Sequence, residues 1–249
     1  MKRGPKPRGQ VKLIWTSKFA YAIGLLTADG CLSKDARHID FTSKDKVLVT
    51  LFKNCLGLRN KIGKKYSGAG NLSYSIQFGD VLFYNFLLSI GLSPAKSKTI
   101  KYVKVPDHLF VHFLRGYFDG DGCSYSFYDS VFPKSYRFYV SFISASPTFV
   151  HWLREKINQM TTLRGHLSYY SASDYIQLRF AKKEAIVMAK YLYRKKSNLY
   201  LKRKYLKIQR TMSIITKRAA VVKLVDTLRS ERSSRKGLGV RVSPAAHES

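Results

Sequence analysis

Two segments of this chain end alike. Residues 22–30 read AIGLLTADG and residues 114–122 read LRGYFDGDG, closing on Asp29-Gly30 and Asp121-Gly122. Each carries small residues four positions apart, Gly24 and Ala28 in the first, Gly116 and Gly120 in the second. On a helix such positions share a face, so each segment offers a flat stripe along which another backbone can approach closely. Stripe packed on stripe would deliver both aspartates to adjacent helix C-termini. Two carboxylates beside two negative dipole ends are unfavourable unless a cation joins them. Oxygen ligands that leave room for water and phosphate suit Mg²⁺, or Mn²⁺ in its place. A divalent cation held against a phosphodiester, in a basic protein, is how metal-assisted hydrolysis is arranged. One Asp-Gly after a helix is an ordinary stop; two at equivalent places, each behind a small-residue stripe, point to a site.

The elements that would position these residues repeat along the chain. Ser17 is a candidate N-cap for a short helix ending at Gly30. The run RHIDFTS then alternates, with Ile39 and Phe41 on one face and His38, Asp40 and Thr42 on the other. Asp45 to Leu56 has helical spacing, with Leu48, Leu51, Phe52 and Cys55 inward. LSYSIQF sets Tyr74, Ile76 and Phe78 opposite Ser73, Ser75 and Gln77, and a helix from Val81 to Ile90 closes the unit. After Pro106 the order returns. A helix ends at Gly122, and SYRFYVSF places Phe138 and Val140 opposite Arg137 and Tyr139. A helix carries Phe149, Trp152, Leu153, Ile157 and Met160, and YIQLRF places Ile176 and Leu178 opposite Gln177 and Arg179. A last helix runs from Lys182 to Tyr193. The recurrence at a domain-sized period predicts an α+β chain of two αββαββα halves. The expected divisions are a basic arm over 1–16, halves over 17–104 and 105–210, and a basic low-complexity tail over 211–249. Lys202 to Arg210 should be helical, whereas from Ala219 the composition predicts a disordered, unpacked tail.

Charge names the partner class. Lysine and arginine number 45 against 15 acids, a formal +30, and a polyanion is the usual reason to carry such self-repulsion. Hydrophobic residues at 45% still supply a core. Three scattered cysteines exclude a C-x-x-C zinc site or disulfide framework and point to a reducing, intracellular setting. No secretory leader or bilayer-length apolar run is visible. Neither H-E-x-x-H nor a P-loop signature occurs, which removes zinc-hydrolase and NTPase readings.

Residues 22–30 and 114–122 resemble the paired motifs of the double-motif LAGLIDADG homing endonucleases, over roughly residues 10–210. The resemblance implies a pseudo-two-fold axis with the motif helices at the interface, and two sheets forming a saddle in the DNA major groove. It implies a site-specific DNA endonuclease that acts as a monomer on double-stranded DNA and leaves short 3′ overhangs. Asp29 and Asp121 match the family's metal-binding acids. Thr27 stands where the motif's first aspartate usually lies, whereas Asp119 keeps it. Ser43 and Ser144 match the polar position that helps place the attacking water, with Lys44 as neighbour. Lys96 and Lys204 match the family's late basic residues, with Lys98 and Arg203 as competitors. The outward strand residues His38, Asp40, Thr42, Ser73, Ser75, Gln77, Arg137, Tyr139, Gln177 and Arg179 would then read bases, since Arg suits guanine and Gln suits adenine. The arm would meet phosphates only. A non-cleaving nucleic-acid-binding protein of the same fold, such as a DNA-binding regulator or an intron-RNA maturase, is the competing reading.

Overall fold

The computed structural model describes residues 9–170, 175–194 and 199–236. Residues through Ile208 form one compact unit and those from Gln209 a second. The first half opens on a capped, buried helix. Thr16, rather than the expected Ser17, caps α1 (Ser17–Asp29), its Oγ1 accepting the Phe19 N–H. Ser17 is the first helical residue, and its hydroxyl instead lies 3.1 Å from His112 Nε2. Strands β1 (Gly30–Leu32) and β2 (His38–Ser43) follow, then α2 (Lys46–Leu56), capped by Asp45 and stopped by Gly57 at φ 68°. Strands β3 (Gly63–Tyr66) and β4 (Leu72–Gly79) complete a sheet of order β1-β2-β4-β3, all antiparallel. Helix α3 (Val81–Ser89), capped by Asp80, and the short α4 (Lys96–Thr99) close the half.

The second half repeats the plan. A 3-10 turn at Asp107–Leu109 leads into α5 (Phe110–Asp121), then β5 (Cys123–Tyr128) and β6 (Tyr136–Ser144). Helix α6 (Pro147–Thr161) starts on a Ser146 cap with proline in its first turn, where a missing N–H costs nothing. Strands β7 (His166–Tyr170) and β8 (Tyr175–Ala181) give the matching order β5-β6-β8-β7, and α7 (Lys182–Tyr193) follows. The two αββαββα halves are therefore as the hydrophobic periods predict. Alternation places Ile39, Phe41, Ile76 and Phe78 inward in the first sheet, and Phe138, Val140, Phe142, Leu178 and Phe180 in the second. In α2 the buried stripe is Leu48, Val49, Phe52 and Leu56; Leu51 and Cys55 are only half-buried.

Two segments differ from expectation. The end of the basic arm is pinned: the N–H groups of Gln10 and Val11 both donate to Asp80 Oδ2, at 2.6 and 3.0 Å, and Val11 is buried. Helix α8 (Lys202–Lys236) runs well past Ala219, because that stretch holds neither proline nor glycine before Gly237 to stop it. The arm through Arg8 and the tail beyond Lys236 lie outside the described residues. No helix among those described is long and apolar enough to cross a membrane.

Candidate active site

Helices α1 and α5 pack against each other along the two small-residue stripes. A Cβ on Gly24 would overlap the Phe113 carbonyl oxygen, and one on Gly116 would overlap the Tyr21 carbonyl oxygen. One on Gly120 would overlap the Ala28 methyl and come within 3.1 Å of Asp29 Oδ2. Gly24, Ala28, Gly116 and Gly120 thus all sit in the seam, and Asp29 reaches the last turn of α5. Gly30 and Gly122, which follow the aspartates, are not left-handed caps: both are extended, at φ −81° and −76°. Their requirement is space, since a Cβ there would strike Leu26 or Phe118 of the preceding turn.

Asp29 and Asp121 accept no hydrogen bond or ion pair from the described residues, yet both are largely out of water. Burial pushes Asp29 up to about 6, and the charge of Asp121 adds to the rise, against opposing pulls from Lys204 and Lys96. Asp121 is also raised, again by burial, and again partly held down by Lys96 and Lys204. Two poorly solvated carboxylates with no protein donor are the oxygen pair that a hard divalent cation would relieve. Among the described residues no third His, Cys, Asp or Glu joins them as a ligand set.

The two lysines stand beside this pair, but their ammonium groups are spent on backbone. Lys96 is 6% exposed and donates to the Gly30 carbonyl at 2.5 Å. Lys204 donates to the carbonyls of Phe118, Gly120 and Gly122, at 2.7, 3.0 and 2.6 Å. Each therefore caps a motif helix where its negative end gathers. Burial lowers both, Lys204 to about 8. Of the competitors, Arg203 turns away to Asp45, 3.1 Å distant, and Lys98 is exposed. Ser43 and Ser144 occupy matching ends of β2 and β6. Their oxygens accept the N–H of Asp45 and Ser146 respectively, so both hydroxyls also serve the turn into the next helix.

Behind the aspartates lies a network that sequence reasoning did not resolve. Asp119 is 1% exposed and accepts the Tyr21 hydroxyl at 2.7 Å and the Leu201 N–H at 2.8 Å. Burial raises it to about 6 despite those donors. Arg115, one turn back on α5, is fully buried and donates to the carbonyls of Leu192 and Leu199. A charged pair at i and i+4 on an otherwise apolar helix was the available signal. Thr27, in the corresponding place of α1, is used up locally, donating to the Ile23 carbonyl.

The outward strand faces divide by character. On the first sheet, Asp40 accepts the Lys65 ammonium at 2.8 Å and the Thr42 hydroxyl at 2.7 Å, and His38 is paired to Asp35. Ser73 donates to the Lys65 carbonyl, Ser75 is 8% exposed beside Gly63, and Gln77 is open to solvent. On the second, Arg137 is clamped to Asp129 of the β5–β6 loop, and Gln177 accepts the Tyr170 hydroxyl. Arg179 lies over the Tyr139 ring, 5.4 Å from its centroid. All ten residues do share the faces turned away from the helices.

No protein-family model matches the chain, and neither does any curated protein sequence. Solved structures do. The chain is similar to the I-LtrWI LAGLIDADG homing endonuclease bound to target DNA, at TM-score 0.54 and 12% identity, over 81% of this chain and 91% of that one. It is similar to the meganuclease I-SmaMI bound to uncleaveable DNA, at TM-score 0.55 and 15% identity, over 94% and 100%. It is also similar to full-length DUF199/WhiA from Thermatoga maritima, at TM-score 0.53 and 14% identity, over 90% and 72%.

Proposed function

Because the chain has the fold of the LAGLIDADG homing endonucleases, we propose that it is a site-specific DNA endonuclease dependent on a divalent metal. The observation that carries the reading is the meeting of Asp29 and Asp121 at the ends of two glycine-seamed helices. Both carboxylates lack a protein donor and both are raised by burial. Asp29 and Asp121 would hold Mg²⁺ or Mn²⁺, with water and the DNA phosphate supplying the remaining ligands. When bound there, such an ion supplies Lewis-acid polarisation of the phosphate and a more acidic water. The chain's own contribution is electrostatic. Lys96 and Lys204 place positive charge next to the position where the phosphate gains negative charge. Their carbonyl partners hold the ammonium groups still, so no reorganisation is needed as the charge develops. Ser43 and Ser144 would orient the attacking water from either side. The product would be a duplex break with short 3′ overhangs.

The same fold without cleavage is the second reading, and the similarity to DUF199/WhiA, which spans 90% of this chain, favours keeping it. A single experiment separates the two. The protein is incubated with Mg²⁺ and DNA that joins the sequences flanking its own gene, the intervening element removed. The nuclease reading expects two defined ends. Asp29→Asn or Asp121→Asn should abolish cutting while the Kd for the same DNA changes by less than about tenfold. Binding without cutting by the wild-type chain would establish the non-cleaving reading instead.

A further inference from the structure

The two outward sheet faces are superimposable in register but not in chemistry. Cys31 pairs with Asp40 and Asp40 with Gln77; at the same places Cys123 pairs with Ser141 and Ser141 with Arg179. By that correspondence His38 is replaced by Tyr139 and Thr42 by Ile143. The pair Ser73–Lys65 is replaced by Tyr175–Tyr170. The exchanges at His38, Thr42 and the Ser73–Lys65 pair bring in aromatic or aliphatic side chains, whereas Gln77 gives way to Arg179 and Ser75 to Gln177. Neighbouring strand β5 adds Tyr125 and Phe127 to the same side, directly opposite Tyr139 and Arg137.

These planar groups are ordered. Tyr125 stacks on Tyr139 at 4.9 Å and 21°, Phe127 lies 6.0 Å from Tyr139 at 19°, and Tyr125 and Phe127 are parallel to within 2°. Strand β6 lies between β5 and β8, so Tyr125 and the Arg179 guanidinium cover Tyr139 from opposite sides. The Tyr139 ring faces are therefore occupied within the protein, and ring edges meet the solvent. A face built for stacking unpaired bases needs open rings. Aromatic edges in a row instead fit a duplex groove where it offers apolar surface, which in B-DNA is the thymine C5-methyl, and the Tyr125 and Tyr139 hydroxyls can donate to the thymine O4 beside it.

We infer that the second sheet recognises a thymine-rich half-site through its aromatic row, while the first sheet reads its half-site by hydrogen bonds. The inference rests on the DNA-binding reading above and adds the chemistry of one half of the target. It makes the target asymmetric in kind as well as in sequence.

The test begins with selection from a randomised duplex library by the D29N/D121N chain, which should bind without cutting. Selected duplexes should be enriched in T·A pairs in one half only. Replacing thymine by deoxyuridine in that half removes only methyls, and should weaken binding roughly three- to fourfold per contacted methyl. The same replacement in the other half should change nothing. Tyr139→Ser and Tyr125→Ser should erase the thymine preference in the thymine-rich half and spare the other. The uridine arm uses the unaltered fold, so it stands even if a tyrosine variant fails to fold. Duplexes selected without thymine bias, or a deoxyuridine half bound as tightly, would overturn the inference and leave the nuclease reading intact. Oligo(dT) or oligo(U) single strands competing as well as the duplex would overturn it in favour of stacking. Selection of no duplex at all would remove the DNA-binding reading and this inference with it.

Discussion

The carboxyl of Asp29 holds its proton up to about pH 6, where an unfolded aspartate would have released it near 4. The folded chain thus binds more protons than the unfolded one across that interval, and linkage fixes the sign. The stabilising contribution of this group is complete below about 4 and is lost as pH rises through about 6. Asp119, also raised to about 6 by burial, acts in the same direction. Asp29→Asn removes the ionisation, so in EDTA it should stabilise the chain at pH 7 by on the order of 1–3 kcal/mol. The gain should shrink to nothing by about pH 4, which urea midpoints at four pH values would show. Mg²⁺ should stabilise the wild-type chain at pH 7 and lose that effect below 6. A variant gain that stays constant with pH would mean that charge is not what strains the site.

At the scale of elements, the seam between α1 and α5 depends on the absence of two β-carbons. Gly116→Ala would drive a methyl into the Tyr21 carbonyl, and Gly24→Ala would drive one into the Phe113 carbonyl. Backbone cannot step aside as a side chain can, so each should cost about 3 kcal/mol or more, the upper range for overpacking. Gly68→Ala, which would meet nothing within 4 Å, should be neutral to within about 0.5 kcal/mol by the same urea titration. Equal costs at positions 68 and 116 would dissolve the argument. The seam also shows what sequence can carry. Periods of two and four in residues 22–30, 39–41, 76–78 and 138–142 are local, so halves, strands and the helix stripe were legible. The bonds of Lys204 to Phe118 and Gly120, and of Asp119 to Tyr21, join residues far apart in sequence, which no window contains. Arg179 looked like a free guanine reader; its place over Tyr139 came from a cross-strand neighbour. The edge strands β5 and β7 carry their aromatics without the strict alternation that marked β6 and β8.

For the molecule as a whole, both halves lie in one compact unit ending at Ile208, and each supplies one aspartate to the seam. A second copy has nothing to add, so light scattering should show one protein per duplex; a two-to-one cutting species would contradict the arrangement. With a formal +30, binding should fall steeply with salt, by about a thousandfold or more between 50 and 200 mM if six phosphates are neutralised. If the chain binds DNA as proposed, the charge would serve affinity without choosing sequence, and choice would fall to two faces that share a register but not a chemistry. One feature of the site also bears on how the protein is made. The carbonyls that end α5 receive their ammonium from Lys204, 84 positions beyond Gly120, and Asp119 receives its backbone donor from Leu201. Synthesis proceeds from the N-terminus, so a ribosome-bound chain carries both aspartates long before it carries either of these groups. Until that stretch has emerged, α5 lacks its ammonium cap and Asp119 lacks its backbone donor. The seam between the two motif helices is therefore completed only after synthesis has passed Lys204, well after both aspartates have been made.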